Sequence, residues 1–197
     1  MDDSEQRVPD PHSGWVAGIN RLMIYTSGKS VGRARSGTGD WDIAGDCLLA
    51  IVAAAASVEA TVGEFLAYPT NQTLFASEIE AWRKGLPRPH EVIKVIIRKH
   101  GGRDVGTLVW YDRLRCLFEL RNSLVHYRPR KRDVGTFPDE LGNCVRKRAF
   151  VPGGDDTMDW TSRVLVPEVA AQAGDIAQAA IHGFLDEVER TPQQAHD

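Results

Sequence analysis

Leu120-Arg121-Asn122-Ser123-Leu124-Val125-His126-Tyr127 closes a run with helical periodicity that begins near Thr107. At about 100° per residue, Trp110, Leu114, Leu117, Phe118, Leu120, Leu124 and Val125 fall on one apolar arc. Arg115, Glu119, Asn122 and His126 follow one another along a second, polar stripe. Arg121 departs from this division. It projects from the middle of the apolar arc, between Leu117, Leu124 and Val125. A guanidinium stays charged and is costly to bury without a partner. Either a carboxylate on another helix meets Arg121, or the arc borders a cleft where an anion binds.

The same periodicity extends over most of the chain and predicts an all-α fold. Residues 1–13 are polar and carry Pro9 and Pro11, so they are expected to be disordered. Residues 15–25 read as a short helix or strand. Ser27-Gly28-Lys29-Ser30 invites a phosphate-loop reading, but that pattern needs glycine where Met23 stands. Residues 26–39 then read as a flexible loop, and residues 1–40 as a mostly flexible segment. Asp40 caps a long Ala-rich helix that Pro69 stops near residue 68. Glu59 and Glu64 lie on it, and each is a candidate partner of Arg121. Residues 73–84 form an amphipathic helix with Leu74, Phe75, Ile79 and Trp82 inward. Residues 91–99 are β-branched, yet Pro89, Gly101 and the spacing of Val92, Ile93, Ile96 and Ile97 favour helix. Pro129 ends the motif helix. Residues 133–160 are irregular, with a short helix around 146–148, and Pro167 opens a last helix. The expected architecture is one domain over 41–190 with a polar tail at 191–197. Two long antiparallel helices, about 40–68 and 107–127, form its core, and shorter helices and the C-terminal one close it.

Composition narrows the function classes. The 197 residues are 42% hydrophobic and 26% charged, ordinary values for a globular protein. The apolar run over 47–58 is about half the length a membrane span needs, and the N-terminus Met-Asp-Asp-Ser-Glu is no secretory signal. Cys47, Cys116 and Cys144 are widely spaced, which argues for free thiols in a reducing cytoplasm rather than a zinc site or a disulfide framework. The six histidines do not cluster at metal-ligand spacing, so neither metal nor cofactor is expected. Net charge is −3, but residues 113–148 hold ten Arg or Lys against four Asp or Glu, leaving −9 for the rest. Arg115, Arg128, Arg130, Lys131 and Arg132 surround the motif and form the footprint expected for phosphate contacts; a solvated basic loop is the alternative.

Arg121 to His126 fits R-x-x-x-x-H with Asn directly after the Arg, and the segment resembles the signature of the HEPN superfamily. The resemblance covers about residues 42–190. It implies a HEPN-like helical bundle and a metal-independent endoribonuclease, with the Arg, Asn and His of two chains meeting in a composite site across a homodimer. Such proteins serve bacterial toxin–antitoxin, defence or stress systems, which implies RNA as substrate and a cognate antitoxin as a further partner. The residue types suit that chemistry. Histidine is the side chain type suited to proton transfer near neutrality, which makes His126 the candidate to take the 2′-hydroxyl proton. Arg121 offers a fork of donors to phosphate oxygens, and Asn122 is placed to orient the histidine or bind phosphate. Two alternatives stay open: a non-catalytic module of the same fold that binds RNA, a nucleotide or a partner protein, and a helical module in which Arg121 is an internal strut.

Overall fold

The structure is a computed structural model and describes residues 13–85, 88–101, 103–126 and 136–189. Among these residues the regular elements are all helices, and no strand occurs. The first helix, α1 (Ser13–Ser36), replaces the loop expected over 26–39. Ile24, Ser27, Val31 and Ala34 recur at helical spacing, and the last three are buried. Two of the surrounding residues, Gly28 and Gly32, have open space where a Cβ would sit, so neither marks a turn. Packing against neighbours outweighs the weak intrinsic propensity of such a sequence.

Helix α2 (Asp40–Ala67) is the central element. Cys47, Ile51, Ala54, Val58 and Val62 form a fully buried stripe, and Ala50 and Ala55 widen it. Small side chains let α1 and the last helix approach from two sides, and these are its main neighbours. Its contact with the motif helix is more limited, so the expected two-helix core is in fact a wider bundle around α2. By length and composition alone α2 could cross a bilayer, contrary to the sequence expectation; here 44% of its most apolar stretch is buried in the bundle. Tyr68 precedes Pro69 and takes an extended conformation, which ends α2. Asn71 Nδ2 and Gln72 Nε2 then donate to the carbonyls of Phe65 and Ala67 at 2.7 and 2.9 Å.

Two short helices follow, α3 (Pro69–Leu74) and α4 (Ala76–Arg83). Phe75 between them is buried, whereas Leu74, expected inward, is exposed. Helix α5 (Pro89–Gly101) buries Val92, Ile93, Ile96 and Ile97 as expected. A 3-10 turn (Val105–Thr107) leads into α6 (Val109–Val125), the motif helix. Leu114, Leu117, Phe118 and Leu120 of its arc are buried, and Val125 at its end is exposed. Helices α7 (Asp139–Arg146), α8 (Trp160–Val164) and α9 (Pro167–Glu189) complete the described residues. Helix α9 packs Ala170, Ala173, Ala177 and Ala180 with Ile176 and Phe184 into the core against α2, α6, α1 and α5.

The cysteines correct the sequence reading. Cys116 on α6 and Cys144 on α7 form a disulfide, with Cα atoms 5.4 Å apart and a separation of 28 positions in sequence. No spacing motif announces it, because the contact arises only when α7 folds back onto α6. The argument for a reducing compartment from free thiols therefore fails for two of the three. Cys47 alone is free; burial pushes its thiol up to about 11, which makes it inert. Denatured, unreduced protein should titrate one thiol per chain and reduced protein three. Closing a loop of this length contributes about 3–4 kcal/mol in the chain-entropy view, so Cys144→Ser should lower the denaturant midpoint in proportion. Three thiols before reduction would contradict the pairing.

His90, in the first turn of α5, is buried against Tyr111 and Phe118. Its Nδ1 has no hydrogen-bond partner among the described residues. Burial lowers its pKa below the ordinary value; Glu91 opposes this, and Arg115 and Arg88 add to it. The unfolded chain therefore takes up the proton first. Stability from the neutral ring is full above the unfolded value of about 6.5 and is lost as pH falls below it. Melting temperature should drop more steeply between pH 7.5 and pH 5 in the wild type than in His90→Leu. Parallel curves would contradict this assignment.

Candidate functional site

The last two turns of α6 carry the motif. Arg121 is half-buried there, and its side chain reaches across to α2, where Nη2 donates to Glu59 Oε1. Nη1 donates to Asn122 Oδ1 at 2.9 Å. The guanidinium carbon stands 5.9 Å from the centroid of the Phe118 ring, within the range of cation–π attraction. Three contacts thus hold one planar group: a carboxylate, an amide and an aromatic ring. Burial pushes the Glu59 carboxyl up, and the Arg121 charge pulls it back only in part. Glu64, the other candidate, lies next to a different cation: burial raises its pKa and Arg21 of α1 counters.

Asn122 is therefore engaged with Arg121 rather than with the histidine side chain. Its backbone carbonyl also accepts the N–H of His126 at 2.9 Å, the closing bond of the helix. His126 is the C-cap residue, with φ −102° and ψ 26°, so the chain turns away from the helix there. Its ring is exposed and has no hydrogen bond or ion pair among the described residues. Five residues of helix separate Arg121 from His126 by about 140°. The two side chains leave α6 on different sides, and Asn122 lies between them in sequence.

The polar stripe below His126 is occupied by ion pairs. Glu119 accepts from Arg88 at 2.5 Å, and Arg115 stands 3.6 Å from Asp112. Asp112 also receives Lys147 at 2.8 Å. Arg88 and Lys147 are cations next to the motif helix that sequence reasoning did not place there. Arg88 arrives because Pro89 starts α5 immediately after it, and Lys147 because α7 folds onto α6. Arg128, Arg130, Lys131 and Arg132, expected to bind RNA, lie outside the described residues. Among the described residues no three His, Cys, Asp or Glu side chains converge as metal ligands.

Comparison with known proteins finds no matching family model, no matching curated protein and no matching solved structure. The arrangement itself offers a cation with fixed orientation, an amide that orients it, and an exposed imidazole one turn further on. Glu59 and Arg121 side chains are 30% and 22% exposed, between the solvated and buried regimes of ion pairing. A double-mutant cycle with Glu59→Gln and Arg121→Gln should give a coupling of about 1–2 kcal/mol in stability. Additive effects would mean that the two charges ignore one another.

Proposed function

We propose that the protein is a HEPN-like, metal-independent endoribonuclease. The observation that carries this reading is the restraint of Arg121 by Glu59, Asn122 and Phe118, with an exposed His126 five residues further along the chain. A guanidinium held in advance stabilises developing phosphorane charge without reorganising when the charge appears. In this reaction His126 accepts the proton of the 2′-hydroxyl, and the 2′-oxygen attacks the adjacent phosphorus. The 5′-oxygen of the next nucleotide leaves with a proton from a second acid, giving a 2′,3′-cyclic phosphate and a free 5′-hydroxyl. In a composite site the second acid is His126 of a second copy. Support for a homodimer comes from α2, where Trp41, Leu49, Val52 and Ala56 form a partly exposed stripe at helical spacing. Arg115 and the cations after His126 would hold the RNA backbone. A bacterial toxin–antitoxin, defence or stress system is the setting this chemistry suits.

The Glu59 contact also favours a second reading. An arginine already satisfied by a carboxylate is what an internal strut looks like, and the fold would then serve a non-catalytic module that binds RNA, a nucleotide or a partner protein. The two separate on one assay. Wild type and His126→Ala are incubated with mixed tRNA and mRNA in EDTA, and the ends of any fragments are identified. Wild type should cut and leave cyclic phosphates, and His126→Ala should be slower by at least about 100-fold. Equal rates for the two, or no cutting by either, would move the assignment to the binding module.

A further inference from the structure

Cations also gather at the other end of α6. Lys94 and Arg98 lie one turn apart on α5, and with Arg103 they line a cavity of about 480 Å³ that ends at Val105. Val105 also borders a second cavity, of about 700 Å³, lined by Arg113, Lys147 and Arg148. Both flank the 3-10 turn and share Val105, and together they are taken as one groove. All six cations are exposed. Arg103 is paired with Glu187 at 2.7 Å and Lys147 with Asp112. Lys94, Arg98, Arg113 and Arg148 form no ion pair among the described residues. Four like charges without an ion pair around the 3-10 turn repel each other, and Asp104, which also lines the first cavity, offsets them only in part.

Arg148 adds an independent sign. It has φ 54°, the left-handed region, just past the end of α7. Its N–H donates to Val145 O at 2.9 Å, and the N–H of Ala149 donates to Cys144 O at 3.1 Å. That is the helix end at which glycine is the usual residue, and an arginine there carries a conformational cost that glycine avoids. The strained residue is also one that places a cation in the groove.

We infer that this groove is a second binding site, which takes the phosphodiester backbone of single-stranded RNA away from the cleavage motif. The inference rests on the ribonuclease reading and extends it. From Val109 to Val125 the helix rises about 24 Å, so the groove would engage the same strand several nucleotides from the scissile bond. A protein partner would want apolar anchors at the centre of the contact. The groove has one exposed apolar side chain, Val109.

The test is fluorescence anisotropy with a labelled 20-nucleotide RNA carrying 2′-O-methyl groups, which block cleavage, at several salt concentrations. A variant with Lys94→Gln, Arg98→Gln, Arg113→Gln and Arg148→Gln should bind about 100-fold more weakly at 0.15 M salt. Its plot of log affinity against log salt should be shallower by about 3. Arg148→Gly alone should melt about 2–4 °C higher yet bind several-fold more weakly, which separates lost contact from lost folding. Unchanged affinity and slope in the fourfold variant, with wild type still cutting RNA, would overturn the groove and leave the cleavage reading standing. Wild type that fails to bind RNA at 50 mM salt would overturn both. Tighter binding of an acidic peptide than of RNA would overturn the choice of ligand.

Discussion

The ion pair between Glu59 and Arg121 is the constraint on which the candidate site depends. It joins the central helix α2 to the last turns of α6, two helices that otherwise touch only over a limited area. An arginine in the middle of an apolar arc is unfavourable unless its charge is met. Glu59 meets it, Phe118 lies near its guanidinium, and Asn122 takes a second donor. Each contact removes freedom from the side chain, so the guanidinium plane is set before any ligand arrives. The same restraint serves either a strut or a phosphate clamp. What differs is whether donors are still presented to an incoming oxygen. Two are named in contacts, one on each terminal nitrogen, and a guanidinium has five in all.

Around this pair the fold is arranged by side-chain size. Alanines on α2 and α9 bring those helices close, and α1 adds a third layer with Ser27, Ser30 and Ala34 buried. The larger apolar residues collect where α5, α6 and α9 meet: Ile93, Ile97, Leu117 and Phe184 are all fully or nearly fully buried. The disulfide then ties α7 to α6, so the chain leaving the motif is fastened again at Cys144. The motif and the basic run after it thus lie within a loop closed at both ends by one covalent bond.

Much of this is legible in the sequence where a local pattern carries it. The helical period of 110–125, the proline at 69 and the Pro89–Gly101 frame each reflect forces acting within a few residues, and α2, α5, α6 and α9 follow from them. Glu59 was one of two carboxylates with the right helix beneath it, but only the packing of α2 against α6 separates it from Glu64. The rest depends on contacts distant in sequence. Helix α1 looks like a loop because glycine and serine read as breakers until a partner helix covers them. Cys116 and Cys144 look unrelated because 27 residues lie between them. Arg88 and Lys147 reach the motif helix, and Lys94 and Arg113 come to line cavities that share Val105, only after the chain has closed.

Whether Arg121 presents donors to phosphate is best tested by NMR of its side-chain nitrogens, with the protein titrated by a short 2′-O-methyl RNA. The free protein should show restricted guanidinium signals, because Glu59 and Asn122 hold the group. Bound RNA should shift those signals at saturation while the fold stays unchanged. If the Arg121 signals stay in place when RNA is bound elsewhere, Arg121 is a strut, and the assignment of a phosphate-stabilising role at this motif is wrong.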